Sequence, residues 1–332
     1  MDNEQRHEDD RDPDAVAALV HAAGRREDPP ESAYRKVFGA AHAAFRAKVS
    51  RRSRRHAFAW AAAASVLVAA VTVLMRWDPI SVQRMVVASV DRIVGSVEVA
   101  SDGGWRPLGR TDGRITRDTR MRTLPGGSAA LVFEGGDSLR LAAETELQFE
   151  GPRSFRLDRG SVYLDIQASM GTGVQIATPA GTVRDLGTQF ELQVADSSLR
   201  LRVREGRVEI DRAGQQLIGA AGEQLEIDAF GNVARSTVAA DSDVWYWAEV
   251  LAPAPDVDGR PASELLAWVA RETGRALLYA DPAVQQRAAS VRLYGNIRHL
   301  APLDAMDVML ATTDLNYVLS EGRIEIRARN DL

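Results

Sequence analysis

The chain has 332 residues, of which 45% are hydrophobic and 26% are charged, and its formal net charge at pH 7 is -5. This length and apolar content are enough for two or three folded domains, and the acidic balance gives no support for direct nucleic-acid binding. The chain contains no cysteine, which excludes disulfides, cysteine-based zinc sites and thiol nucleophiles.

Two short amphipathic helices are predicted in residues 1–56. Each begins at an Asp-Pro pair, at positions 12–13 and 28–29, where the acid caps the helix and the proline takes its first position. Apolar residues at helical spacing then form one stripe per helix. The stripes either pack on each other or dock into a groove of a cytoplasmic partner. Their candidate partner-binding residues are Val16, Leu19 and Val20 in the first helix and Tyr34, Val37 and Phe38 in the second.

Residues 57–75 form an uninterrupted apolar run. It contains no charge, proline or glycine, and the hydroxyls of Ser65 and Thr72 are its only polar side chains. A helix of this length, rising about 1.5 Å per residue, is roughly 28 Å long, close to the hydrocarbon thickness of a bilayer. We therefore predict a single transmembrane helix rather than a buried helix of a soluble domain.

The orientation of this helix follows from the charges beside it. Residues 1–56 carry twelve lysines and arginines, and four of the arginines lie at positions 51–55, directly before the run. The positive-inside rule places this side in the cytoplasm. We predict a single-pass protein of the bacterial inner membrane, with a cytoplasmic N-terminus and a periplasmic C-terminus.

The hydrophobic period changes from 3.6 to 2 after the apolar run. Short alternating stretches, separated by glycine-rich turns, lie at residues 92–99, 129–133, 138–142, 161–166, 174–177 and 201–203. Strands that recur about every ten residues are typical of all-β domains. We predict an all-β domain over residues 82–240, built as a sandwich or as a short β-solenoid.

Two motifs in this region resemble the FecR family of transmembrane sigma-factor regulators. IATPAGTVRDLGTQFEL at residues 176–192 resembles the family signature, and LRVREGRVEI at residues 201–210 resembles its second conserved run. With weaker matches upstream, the resemblance extends over about residues 90–235. It implies a periplasmic domain, an ECF-type sigma factor as cytoplasmic partner, and a signal from an outer-membrane TonB-dependent transporter, as in the regulation of iron transport. Residues 1–56 lack the tryptophan-containing N-terminal motif common in the family.

Few residues offer catalytic chemistry. Four of the five histidines lie at or before residue 56, so that only His299 remains for a hydrolase triad in the outer region. Strand alternation predicts exposed positions for the carboxylates of Asp185, Glu191, Glu205 and Glu209. We therefore predict a regulator that turns over no substrate and needs no cofactor or metal.

The family resemblance adds one candidate reaction. Some FecR-like regulators split their own backbone between the glycine and the threonine of the signature, here Gly187 and Thr188. A threonine hydroxyl can attack the preceding carbonyl and form an ester that water hydrolyses, and glycine leaves that carbonyl uncovered. The alternative is a structural one, in which Gly187 forms a bulge and Thr188 lies in a strand.

The C-terminal region is predicted to be a linker, residues 241–255, followed by a small α+β domain, residues 256–330. Helices are expected after Pro261 and Pro302, with strands near 276–279, 290–293, 315–319 and 323–327. The two halves match at an offset of 41 residues and suggest a duplicated αββ unit. This unit resembles the short N-terminal domain of secretins and of signal-transducing outer-membrane transporters, which implies a docking role. Its candidate partner-binding residues are Leu265, Trp268, Tyr294 and Tyr317.

The sequence thus predicts a multidomain membrane regulator with a helical cytoplasmic segment, one transmembrane helix, an all-β domain and a small α+β domain. Loss of the outer domain would expose the transmembrane helix to an intramembrane protease and release residues 1–56. The alternative is an envelope scaffold protein that docks a secretin-like assembly through its C-terminal domain.

Overall fold

The computed structural model describes residues 17–18, 21–22, 24, 30–33, 35–43, 85–101, 103–109, 112–167, 173–185 and 187–329. The chain divides into two compact units, Met1–Val82 and Gln83–Leu332. The predicted transmembrane helix at residues 57–75 lies outside the described residues. Among the helices that are described, none combines the length and the apolar character needed to cross a membrane.

The longer described stretches of the first unit are helical. Residues 31–33 and 35–43 are helical, and shorter helical pieces lie at 17–18 and 21–22. Val37 and Phe38 are 71% and 58% exposed, and the ring of Phe38 stacks on that of His42 with 5.9 Å between centroids. The candidate residues Val16, Leu19, Val20 and Tyr34 lie outside the described residues.

The second unit begins with seventeen strands that form two sheets. The strands are β1 (Val86–Val94), β2 (Val97–Ser101), β3 (Gly104–Pro107), β4 (Arg114–Thr116), β5 (Arg120–Thr123), β6 (Ser128–Phe133), β7 (Ser138–Leu141), β8 (Glu146–Gly151), β9 (Ser154–Asp165), β10 (Gln175–Thr178), β11 (Gly181–Asp185), β12 (Gln189–Ala195), β13 (Ser198–Glu205), β14 (Arg207–Arg212), β15 (Gln215–Ala220), β16 (Glu223–Ile227) and β17 (Val233–Thr237).

One long strand, β9, belongs to both sheets. The first sheet has the order β4-β1-β6-β7-β9-β12-β13-β16-β17, and the second has the order β3-β2-β5-β8-β9-β10-β11-β14-β15. The strand passes from one sheet to the other at Gly160, whose φ of 93° is open to glycine. A Cβ there would lie 2.4 Å from the Cα of Thr145, so only glycine fits.

A single hydrophobic core lies between the two sheets. The first sheet contributes Leu131, Leu164 and Phe190, and the second contributes Phe149 and Phe155, whose ring centroids are 6.1 Å apart. Alternation along each strand sends these side chains inward, as the period of 2 requires. The mostly β fold is therefore confirmed, and we call these two sheets with the core between them the sandwich.

Helices return after the last strand of the sandwich. A 3₁₀ turn at Asp243–Trp245 leads into α1 (Tyr246–Glu249), which is followed by β18 (Arg260–Pro261), α2 (Ala262–Thr273), β19 (Ala276–Tyr279), α3 (Pro282–Ser290), β20 (Arg292–Leu293), α4 (Pro302–Leu310), β21 (Leu315–Ser320) and β22 (Arg323–Ala328). β22 lies between β19, which is parallel to it, and β21, which is antiparallel, while β18 pairs with β20. We call the region from Arg260 to Ala328 the C-terminal domain; its own core includes Leu266, Val269, Met306 and Ile324.

The predicted αββ unit is present only in the second half of the C-terminal domain, as α4, β21 and β22, so the domain is not a duplication of this unit. In the first half, helix α3 separates the two strands, and β20 pairs with β18 instead of β19. The helix starts because Asp281 caps it, accepting hydrogen bonds from the backbone N–H groups of Ala283 and Val284, while Pro282 takes its first position. The same Asp-Pro device was the basis of the helices predicted in residues 1–56.

Candidate functional site

The two sequence motifs of the β region meet where the chain crosses between the sheets. The first motif passes from β11 in the second sheet to β12 in the first, through Gly187 and Thr188. The second motif passes back from β13 to β14 through Gly206. The two crossings are adjacent, because β12 pairs with β13 and β11 pairs with β14. We call the first crossing, with Asp185, Gly187 and Thr188, the Gly-Thr turn.

Asp185 organises the Gly-Thr turn. Its Oδ1 accepts a hydrogen bond from the backbone N–H of Gly187 at 3.0 Å and a second one from the hydroxyl of Thr188. The side chains of Asp185 and Thr188 are both buried. Gly187 has a φ of 105°, which is available to glycine and strained for other residues. The carbonyl of Thr188 accepts from the N–H of Ile166 at 2.9 Å, which ties the turn to the end of β9.

Gly206 covers the Gly-Thr turn from the second crossing. Its φ is 82°, and a Cβ built on it would lie 2.5 Å from Cγ2 of Thr188 and 2.7 Å from the carbonyl oxygen of Gly187. Contacts this short are forbidden to a real Cβ, so glycine is required twice over, by conformation and by space. Because residue 206 is glycine, its backbone can lie directly against the Gly187–Thr188 bond.

A cluster of charged side chains, all buried except the half-buried Arg271, joins the first sheet to the helices beyond it. We call it the charged joint, and its members are Arg140, Asp165, Arg204, Glu249, Arg271 and Glu272. Arg140 is fully buried on β7, and its Nη2 lies 2.8 Å from Oε2 of Glu272 on α2. Its Nη1 also donates to the carbonyl of Ala248 at 3.0 Å.

Arg204 makes a second bridge from the sheet to the helices. Its Nη2 donates to Oε1 of Glu249 at 2.6 Å, its Nη1 donates to the carbonyl of Glu272 at 2.7 Å, and its Nε donates to the carbonyl of Ala240 at 2.6 Å. The guanidinium also lies over the ring of the buried Trp245, 5.3 Å from its centroid. All of these partners come after β17, the last strand of the sandwich. Arg204 alone therefore holds the chain between Ala240 and Glu272 against the first sheet at four residues.

Arg271 connects the charged joint with the Gly-Thr turn. It is paired with Asp165, at the end of β9, and its Nη1 lies 3.3 Å from Oε2 of Glu205 on β13. Asp165 and Glu205 are the two residues that flank Gln189 in the sheet, and Gln189 directly follows Thr188. Helix α2 therefore contacts β9 and β13, the two strands that pair with β12 where it leaves the turn.

The electrostatics of the charged joint favour ionised arginines. Burial lowers the pKa of Arg140, but the negative charge and hydrogen bond of Glu272, together with the charge of Asp165, outweigh it, so that the pKa is raised overall. The pKa of Arg271 is also raised, since the hydrogen bond and charge of Asp165 overcome its partial burial. Burial raises the pKa of Tyr163 to about 12, so its hydroxyl stays protonated. The arginines of the joint thus stay charged and lie around a neutral tyrosine, while burial raises the pKa of the Glu272 carboxyl.

The structure corrects three sequence predictions about side-chain positions. Asp185 and Glu191 are buried, whereas strand alternation predicted exposed positions for them. Leu265 is buried in the core of the C-terminal domain, because it lies on the inner face of α2, and is not available to a partner. Sequence reasoning missed all six members of the charged joint, because their partners lie far away in the chain.

Other predicted site residues remain on or near the surface. Tyr294 is 73% exposed and Trp268 is half-buried. Tyr317 is also half-buried, and its hydroxyl donates to Asp307. Among the described residues, no group of histidine and acidic side chains is arranged to hold a metal ion.

Comparison with known proteins locates one family. Residues 119–209 match the family model described as FecR protein. No curated protein sequence shows significant similarity to the chain. Two crystal structures of a candidate anti-sigma factor from Parabacteroides distasonis ATCC 8503, at 2.50 and 1.65 Å resolution, are similar to it. Each is 17% identical, covers 63% of this chain and 98% of its own, and has a TM-score of 0.36.

Proposed function

Since this chain carries a FecR domain, we propose that it is a membrane-bound regulator of a sigma factor. Residues 1–56 bind an ECF-type sigma factor in the cytoplasm, and residues 57–75 cross the bacterial inner membrane. The sandwich and the C-terminal domain lie in the periplasm and receive a signal from an outer-membrane TonB-dependent transporter. The protein turns over no external substrate. The FecR domain is the observation that carries this proposal.

The exposed helix in the first unit supports the role of residues 1–56. Val37 and Phe38 present a largely exposed apolar surface, which is costly in water unless a partner covers it. In the sequence they follow Tyr34 by three and four positions, which is the spacing of an amphipathic helix that docks into a groove of another protein.

The charged joint supports signal reception by the C-terminal domain. A buried ion pair that is partly broken leaves charges that are neither paired nor hydrated, and such an intermediate is costly. The joint is therefore expected to be either closed or fully open, and a bound partner would change the balance between these two states. Through Arg271, opening the joint would also release the ends of β9 and β13, the two strands that pair with β12 next to the Gly-Thr turn.

Binding of residues 1–56 to a sigma factor tests the proposal. The segment is used as bait for proteins of its own cell, and captured proteins are identified by mass spectrometry. We expect an ECF-type sigma factor, and we expect the double variant Val37→Asp with Phe38→Asp to lose it. Ser32→Asp, which also adds an acid but at an exposed position on the opposite helix face, serves as the control.

The scaffold alternative makes a different prediction for the same segment. If the chain only docks an envelope assembly, deletion of residues 1–50 leaves transcription from the target promoters of every ECF-type sigma factor unchanged. A regulator changes transcription from one of those promoter sets. Failure to capture a sigma factor, together with unchanged transcription, would contradict our proposal.

We further propose that the periplasmic part splits itself between Gly187 and Thr188. The left-handed backbone at Gly187 and the hydrogen-bonded hydroxyl of Thr188 support this reaction. A chain tagged at both ends is expected to give two fragments on immunoblots, and Thr188→Ala is expected to give one intact species. An N-terminal tag followed under inducing conditions then tests whether residues 1–56 are released by proteolysis within the membrane. An intact wild-type chain would contradict self-cleavage.

A further inference from the structure

Asp185 holds the hydroxyl that the proposed self-cleavage needs as its nucleophile. Oδ1 of Asp185 accepts from the hydroxyl of Thr188 and, at 3.0 Å, from the N–H of Gly187. The side chains of Asp185 and Thr188 are buried. A threonine hydroxyl is a weak nucleophile until a base within hydrogen-bond reach removes its proton. A carboxylate that already accepts this hydrogen bond satisfies that geometric condition.

We propose that Asp185 is the general base for cleavage of the Gly187–Thr188 bond; this inference rests on the self-cleavage proposed above. Asp185 takes the proton of the Thr188 hydroxyl as Oγ1 attacks the carbonyl carbon of Gly187, which closes a five-membered ring. The bond between that carbon and the nitrogen of Thr188 then breaks, and the nitrogen receives the proton from Asp185. Water hydrolyses the resulting ester to the Gly187 carboxylate and the free Thr188 hydroxyl.

Two other carboxylates near the turn are engaged elsewhere. Glu205 lies on β13, where its side chain is largely exposed and paired with Arg271. Asp165 is also paired with Arg271. Of the carboxylates in the described residues, Asp185 is the one whose hydrogen bond with the hydroxyl of Thr188 the structure shows. This distinguishes it from its neighbours as the base.

Gly206 fixes the direction of the nucleophile. Its backbone lies against Cγ2 of Thr188, since a Cβ there would come within 2.5 Å of that methyl group. The methyl group is therefore held on the side of Gly206, and the hydroxyl donates to Asp185. This arrangement keeps the reacting hydroxyl in one orientation before the reaction starts, which is how positioning accelerates a step within one molecule.

Water for the second step has an approach close by. A cavity of about 300 Å³ is lined by Gln189 and Glu205, the chain neighbours of Thr188 and Gly206, together with Arg204, Arg271 and Arg275. Its polar walls suit ordered water. The ester formed at Thr188 would therefore lie one residue from a hydrated space.

The test compares cleavage rates of full-length variants purified in detergent. Asp185→Asn keeps a side-chain oxygen that accepts both hydrogen bonds but removes the base. We expect it to slow cleavage by about 10² to 10⁴-fold, the usual contribution of a general base. Its thermal unfolding midpoint should stay close to that of the wild type. Asp185→Glu should recover part of the rate, and Thr188→Ser should still cleave.

Hydroxylamine separates the two steps, because it captures an ester. We expect Asp185→Asn to accumulate neither fragments nor captured ester, since the attack itself is slowed. Captured ester in that variant, or a cleavage rate within about twofold of the wild type, would overturn the role of Asp185 and leave self-cleavage standing. A wild-type chain that stays intact would overturn both. If Asp185→Asn does not fold, the rate of Asp185→Glu decides: a rate equal to that of the wild type at every pH contradicts the assignment.

Discussion

The Gly-Thr turn and the charged joint are adjacent, yet they are built in opposite ways. The turn uses residues within four positions of one another, covered by Gly206, and the carboxylate of Asp185 accepts from the uncharged donors of Gly187 and Thr188. The joint gathers residues from positions 140 to 272 and pairs each buried acid with an arginine. The turn therefore has a group placed to move a proton, whereas the joint has charges that hold two regions together.

This difference predicts where the molecule tolerates change. A buried ion pair that loses one partner leaves a desolvated charge and is costly, but a hydrogen bond lost between a hydroxyl and a carboxylate costs far less. Variants of the joint should thus affect stability most, and variants of the turn should affect chemistry most.

The largest loss of stability is expected for Arg140→Ala. It leaves the Glu272 carboxylate buried without its arginine and removes the hydrogen bond to the carbonyl of Ala248. We expect a loss of about 3–5 kcal/mol in the free energy of unfolding, measured from denaturant curves. Arg156→Ala, which breaks the exposed pair with Glu150, should cost less than about 1 kcal/mol.

A double replacement separates charge from packing at the same place. Arg140→Met with Glu272→Leu removes both charges and keeps apolar volume, and it should recover most of the stability lost in Arg140→Ala. A double variant as unstable as Arg140→Ala would contradict the view that the unpaired charge is the source of the loss.

The next largest effect is expected for Gly206→Ala. The new Cβ would clash with Gly187 and Thr188, and the left-handed backbone would be strained as well. We expect a loss of about 3 kcal/mol. Gly214→Ala is a matched control, because Gly214 has the same φ of 82° but open space around it. It should lose about 1 kcal/mol, and equal losses at the two positions would refute the packing argument.

Trp245→Phe tests the aromatic part of the charged joint. The change removes the hydrogen bond from Nε1 to the carbonyl of Ala239 and weakens the contact with the guanidinium of Arg204. We expect a loss of about 1–2 kcal/mol in unfolding free energy. Tyr246→Phe, at an exposed neighbouring position, should change stability by less than about 0.5 kcal/mol. A neutral Trp245→Phe would show that the ring does not help to hold the joint.

Thr188→Val should affect the stability of the protein far less than its chemistry. Valine keeps the shape of threonine and removes one hydrogen bond to the carboxylate of Asp185, which costs about 1.5 kcal/mol because the N–H of Gly187 still donates to the same oxygen. The same variant should abolish self-cleavage completely. Thr182→Val, on β11, should leave cleavage at the wild-type rate. Cleavage in Thr188→Val would place the reacting group elsewhere.

The sequence motifs pointed to the Gly-Thr turn, but the charged joint could not be predicted from strand patterns. Alternation shows which side chains share a face of a strand, but it does not show whether another element covers that face. Arg140, Tyr163 and Glu191 lie opposite one another on neighbouring strands of the first sheet. Trp245 and Ala248 pack against Tyr163, so this outer face is buried where the pattern indicated solvent.

Features that depend on residues within one segment were predicted more often than contacts between residues far apart in the chain. The helices after Pro261 and Pro302 were predicted because their apolar spacing lies within one segment, and both are present as α2 and α4. Helix α3 was missed although Asp281-Pro282 carries the start signal, since its short apolar pattern is weak. The contact of Gly206 with Thr188 needed the fold, because pairing of β12 with β13 brings them together.

Whether the Gly-Thr turn is a reacting site is tested most directly by the first residue of the C-terminal fragment. The full-length wild-type chain is purified without added protease, and N-terminal sequencing is applied to every fragment that ends at the C-terminus. We predict a single new N-terminus, at Thr188, that forms in the purified protein and is missing from Thr188→Val. An intact chain, or fragments that begin at any other residue, would contradict the account.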